Sequence, residues 1–138
     1  SLLGGGRDLI ARAVRYRRMS GGAMRQVGIF AAAGIYALEH NLKRLGDDHA
    51  NARRIGEILA KSACIEIDLA TVQTNILVFR LAADAPDAHA IVARARERGV
   101  LIFAFDARTI RAVTHLDVSR EQCERAAAIL VALAEERH

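Results

Sequence analysis

Leu9, Ile10, Ala13 and Val14 recur at helical spacing, and they predict a helix over residues 7–19 that Ser20-Gly21-Gly22 ends. A second helix is expected over residues 25–42. There Val27, Ile29, Phe30, Ile35 and Leu38 fall on all sides around Ala31-Ala32-Ala33, as in a helix buried on most of its surface. Gly46 interrupts the pattern, and Asp47 or Asp48 can cap a third helix. Its inner stripe is Ala52, Ile55 and Leu59, with Ile58 beside it and Arg53 and Arg54 outside. Ser1 to Leu3 reads as the end of a strand running into three glycines.

The period changes after Cys64. Ile65-Glu66-Ile67-Asp68-Leu69 alternates as a half-buried strand does, and Ile76 to Leu81 is a more continuous strand. Asp84, Pro86 and Asp87 open a helix with Pro86 early in its first turn. Ala88, Ile91, Val92 and Ala95 form its inner side and Gly99 is its end. Residues 100–105 and 110–114 are two further strands. Ser119-Arg120-Glu121-Gln122 is a capping box for a last helix that turns Cys123, Ala126, Ala127, Leu130 and Ala134 inward. Three helices followed by β-β-α-β-β-α define an α/β (α+β) chain, with a small sheet covered by helices on one side.

Apolar residues make up 52% of the 138, enough for a core, and aromatics only 4%, so that core is aliphatic. No apolar run approaches the roughly 20 residues of a membrane span, and no signal-peptide pattern opens the chain. Cys64 and Cys123 sit in apolar periodic surroundings and read as small buried hydrophobes, in keeping with a reducing cytoplasm. The net charge of +4 is local. Residues 7–25 hold six arginines against one acid, so the excess asks for an anion, an acidic surface or nucleic acid nearby.

Three segments could carry chemistry. In Arg17-Arg18-Met19-Ser20-Gly21-Gly22-Ala23-Met24-Arg25-Gln26, cationic positions flank a glycine turn leading into a helix N-terminus. That is the composition of a phosphate site without a P-loop, and equally of a solvated basic helix face with a flexible loop. In Arg111-Ala112-Val113-Thr114-His115-Leu116-Asp117, an arginine at the mouth of a strand suits a carboxylate, although an edge arginine paired with a surface acid is the commoner case. His115 and Asp117 read as strand-end polar groups rather than a catalytic pair. Gln73-Thr74-Asn75 reads as a loop holder. His40, His49, His89 and His138 have no metal partner at helical spacing, so no metal site is expected.

The arginine–glycine segment, Asp47-Asp48-His49-Ala50-Asn51-Ala52, Gln73-Thr74-Asn75 and the segment from Arg111 to Arg120, taken in order, resemble the low-specificity L-threonine aldolases of the type I pyridoxal-phosphate fold. The resemblance covers nearly the whole chain. It implies cleavage of 3-hydroxy amino acids, L-threonine and L-allo-threonine, to glycine and an aldehyde, with pyridoxal phosphate as the electron sink. It also implies a cytoplasmic homo-oligomer, dimer or tetramer, whose active sites borrow residues from a neighbour. Residues 1–45 would end a large cofactor-binding domain, and residues 46–138 would form a small C-terminal domain with a mainly antiparallel sheet.

Carried over by position, Arg111 matches the arginine that binds the substrate carboxylate, and Arg25 a basic residue reaching the cofactor phosphate. Arg18 stands where the motif usually has lysine, and Ala23 replaces a glycine of a run of three. The Schiff-base lysine of the family would lie shortly before Ser1. Lys43 and Lys61 do not match it, so the chain is expected to be a fragment without that catalytic residue. From another class, the alternative is a non-catalytic anion-binding, small-ligand-binding or dimerisation module. A nucleic-acid binder is disfavoured by the scarcity of aromatics for base stacking.

Overall fold

The computed structural model describes residues 2–136. The strand end expected at residues 1–3 shows no strand at Leu2 or Leu3, while Ser1 and His138 lie outside the described residues. The chain divides into two compact units, Ser1–Lys43 and Arg44–His138.

The first unit holds helices α1 (Arg7–Met19) and α2 (Gly28–Tyr36), then a π-helical turn Ala37–Asn41. The α1 helix follows the expected bounds. The second helix starts three residues late, because Gln26 adopts a left-handed φ of 53° and residues 25–27 form a turn. Within the π turn, His40 Nδ1 donates to the Tyr36 carbonyl at 3.0 Å, and the two rings stack with centroids 4.1 Å apart. The expected burial of the second helix is not met. No residue of α1, α2 or the π turn is buried, since two helical stretches alone offer no third layer to cover them.

The second unit contains α3 (Leu45–Leu59), β1 (Ile65–Glu66), β2 (Ile76–Leu81), α4 (Ala88–Glu97), β3 (Phe103–Ala104), β4 (Thr109–Val113) and α5 (Arg120–Glu135). Gly46 does not interrupt: it lies inside α3. Asp47 and Asp48 stand in the first turn, where negative charge suits the helix dipole, instead of capping it. Ala52, Ile55 and Leu59 are buried as expected.

The sheet runs β1-β2-β4-β3 with every pairing antiparallel. β1 is shorter than its alternation suggests, because Asp68 accepts from the Ala70 N–H at 2.9 Å and turns Leu69–Thr71 into a 3-10 helix. The strand expected over residues 100–105 shrinks likewise to two residues. Pro86 precedes α4 and stays outside its first turn. Asp87 is the N-cap, accepting from the His89 N–H at 2.8 Å, and Gly99 closes the helix at φ 80°. On α5 both halves of the Ser119–Gln122 capping box form.

Burial alternates along β2 and β4. Leu77, Phe79, Leu81, Ile110 and Ala112 face the helices and pack with Leu59, Ile91, Leu130 and Leu133. Such a core, at about 1.5–3 kcal/mol per fully buried large side chain, is what holds this unit. The other sheet face carries Ile76, Val78, Phe103, Phe105 and Val113, all exposed, with Arg111 among them. Among the described residues no helix is long and apolar enough to cross a membrane.

Candidate functional site

Arg111 lies on β4 between Val78 of β2 and Phe103 of β3, its register partners. Strand alternation sends Ile110 and Ala112 inward, so Arg111 and Val113 share the uncovered face, as the spacing predicts. Its Cζ is 5.7 Å from the Phe103 ring centroid and 5.4 Å from that of Phe105. The two rings meet edge to face at 5.6 Å. Among the described residues, Arg111 Nε is a buried side-chain polar atom without a hydrogen-bond partner. A guanidinium donor shut off from water and unpaired costs free energy unless an acceptor completes it. The edge-arginine alternative needed a surface acid, and no ion pair of Arg111 occurs among the described residues.

The end of β4 is locked from two sides. Thr114, fully buried, donates through Oγ1 to the Asp48 carbonyl at 2.7 Å, with the Asn75 carbonyl at 3.3 Å. Asn75 Nδ2 donates to the Thr114 carbonyl at 2.8 Å, and the Thr114 N–H to the Asn75 carbonyl at 2.9 Å. Gln73 Nε2 donates to the Ala70 carbonyl, so this segment holds the loop as read from the sequence. The start of β4 is set by a turn. Asp106 Oδ1 accepts from the N–H groups of Arg108 at 2.7 Å and Thr109 at 2.8 Å. The Arg108 N–H foremost, then the Thr109 side chain, hold its carboxyl below its ordinary pKa. Arg108 Nη1 in turn donates to the carbonyls of Ala82 and Ala85.

His115 Nδ1 donates to Asp117 Oδ2 at 3.0 Å with both side chains in solvent, so they form a local strand-end pair. Cys64 and Cys123 are free thiols. Cys123 is buried, which pushes its pKa up, and Cys64 is half-buried. Cys123, Thr114, Gln122 and Val100 line a cleft of about 290 Å³ on the helix side of the sheet, away from Arg111. No His, Cys, Asp or Glu cluster suited to a metal occurs among the described residues.

In the first unit, Arg18 and Arg25 are exposed and flank the glycine turn. The N–H groups of Ser20, Gly21 and Gly22 bond back to the carbonyls of Tyr16, Arg18 and Arg17. They close α1, and the N-cap of α2, Val27, supplies no side-chain acceptor. Sequence reasoning overlooked Phe103 and Phe105. The signal was there: two aromatics at i and i+2 in a chain with few of them, on the strand beside Arg111.

The fold belongs to the α/β class of the type I pyridoxal-phosphate enzymes. The chain is similar in structure to 8-amino-7-oxononanoate synthase of Francisella tularensis, with a TM-score of 0.67 at 14% identity over 92% of this chain and 39% of that one. It is also similar to ornithine delta-aminotransferase of Plasmodium falciparum, with a TM-score of 0.52 at 16% identity over 67% and 25%. Residues 1–82 match the sequence model of the beta-eliminating lyases, and the chain belongs to that family. It is 48% identical over 128 residues, 93% of its length, to the low specificity L-threonine aldolase of Escherichia coli K12. It is 31% identical over 124 residues to low-specificity L-threonine aldolase 1 of Arabidopsis thaliana. The chain spans 36% and 34% of the lengths of these two relatives.

Proposed function

We propose that this chain is the C-terminal part of a pyridoxal-phosphate-dependent aldehyde-lyase that cleaves L-threonine and L-allo-threonine to glycine and acetaldehyde. The names of its relatives support the reaction. The observation that carries the site is Arg111 Nε, buried and unpaired on the open sheet face. A substrate carboxylate is the acceptor that such a guanidinium fits, through two parallel N–H···O bonds. Gripping that end of the amino acid fixes the direction of its Cα–Cβ bond. The cofactor, when bound, supplies the electron sink for the broken bond.

Arg25 and Arg18 reach toward the cofactor phosphate, Arg25 toward that of a second subunit in a homo-oligomer. Residues 1–45 belong to the large domain and residues 46–138 form the small one. The covalent anchor for the cofactor is neither Lys43 nor Lys61. The 138 residues alone therefore give no borohydride-fixed lysine adduct with pyridoxal phosphate and release no acetaldehyde from threonine. A uniquely modified lysine together with cleavage by the chain alone would overturn this. In the protein that carries the activity, Arg111→Lys keeps the charge but loses the fork. Its KM for threonine should rise at least about ten-fold, the equivalent of one lost charge-assisted hydrogen bond. An unchanged KM would remove Arg111 from the site.

A further inference from the structure

The segment Leu101-Ile102-Phe103-Ala104-Phe105-Asp106 alternates, and it puts Ala104 inward and both phenylalanines outward. Phe103 and Phe105 remain 55% and 53% exposed. Large aromatics normally serve a core or an interface, so two of the four phenylalanines in the chain standing on the uncovered face call for a reason. The guanidinium beside both rings supplies it. Both centroids lie within 6 Å of Arg111 Cζ, the range in which a ring quadrupole attracts a cation.

Backbone pairing to β4 sets where both rings stand. Phe103 is the register partner of Arg111, and the Phe105 N–H donates to the Thr109 carbonyl at 2.9 Å beside the Asp106 turn. Val78 stands on the opposite side of Arg111, so apolar side chains flank it on both neighbouring strands.

We propose that Phe103 and Phe105 are positioning residues: their rings hold the Arg111 guanidinium in one place, dry at Nε, before a carboxylate arrives. The proposal rests on the reading of Arg111 as the carboxylate receptor. A cation already confined loses less freedom on binding, and its hydrogen bonds are stronger where water is excluded. The pair acts through Arg111 on binding and touches no breaking bond. Its removal should therefore appear in KM and leave kcat in place.

The experiment uses Phe103→Leu, Phe105→Leu and the double variant, which keep apolar bulk but lose the rings, beside Phe103→Tyr and Phe105→Tyr, which keep them. Arg111→Lys is the control. Two readouts are taken: KM and kcat for threonine in the active protein, and calorimetric titration of the 138-residue chain with glycine. Each leucine variant should weaken glycine binding and raise KM about three-fold, and the double variant about ten-fold, with kcat within about two-fold. The tyrosine variants should stay at wild-type values. If the leucine variants bind glycine and threonine as wild type does while Arg111→Lys does not, the ring pair is overturned and the carboxylate receptor stands. If Arg111→Lys also keeps KM unchanged, the receptor reading itself is overturned, and the proposal with it.

Discussion

Arg111 depends on neighbours that a residue-type argument alone does not reveal. Its outward direction was legible, because Ile110 and Ala112 had to face a core and strand alternation left Arg111 the other side. Its setting was not legible, because Phe103 and Phe105 read equally well as core on a strand of unknown partner. Only the β3–β4 register brings them to Arg111. Asp106 shows the same limit: by residue type it is a polar group in a loop, and in the fold it is a carboxylate whose pKa is lowered by hydrogen bonds from Arg108 and Thr109. Its hydrogen bonds therefore contribute stability that is present above its unfolded pKa of about 4. That contribution is lost as pH falls through the lower folded value. Asp106→Ala should lower the urea midpoint at pH 7 more than at pH 3. An equal loss at both pH values would show that the charge of the carboxylate does not matter to the turn.

Helices and strands were legible where their period was long and their caps explicit. Both ends of α1, the α3 stripe, β2 and the Ser119 box follow directly from residue types. Errors fall where a local hydrogen bond outbids the pattern. Asp68 converts the tail of an alternating run into a 3-10 turn, and Asp87 displaces Pro86 from the first turn of α4. At Gln26 a left-handed backbone delays α2 instead. Gly46 was misread because a single glycine costs a helix only about 1 kcal/mol, which the buried face of α3 offsets. Thr114 ties three of these elements together, α3 through Asp48, β2 through Asn75 and β4 through its own backbone. Thr114→Val deprives the Asp48 carbonyl of its hydroxyl donor, while the Asn75 carbonyl keeps the residue-114 N–H. It should destabilise the second unit by about 1–3 kcal/mol in urea unfolding. A change below about 0.5 kcal/mol, the level of an ordinary surface substitution, would mean that the hydroxyl contributes nothing.

The two units differ in how their apolar residues are used. The second has a closed core, whereas α2 in the first leaves Ile29 73% and Phe30 64% exposed, along with Ile35 and Tyr36 and, in the π turn, Leu38. A contiguous apolar helix of this kind marks an interaction surface. The sequence announced its all-round apolarity and could not say what covers it. The expected occupant is a second copy, so the chain should sediment as a concentration-dependent oligomer. Ile29→Glu with Phe30→Glu should shift it toward monomer while leaving the thermal unfolding of the second unit unchanged. A clean monomer for the parent chain at high concentration would contradict this. The sheet adds a constraint on the form such oligomers take. Its outer strands, β1 and β3, are two residues each, so its borders present too few free N–H and C=O groups for a foreign strand to zip on. Crowded copies of this protein should therefore stay in discrete particles and seed no fibrils, even with many bare aliphatic and aromatic side chains in view.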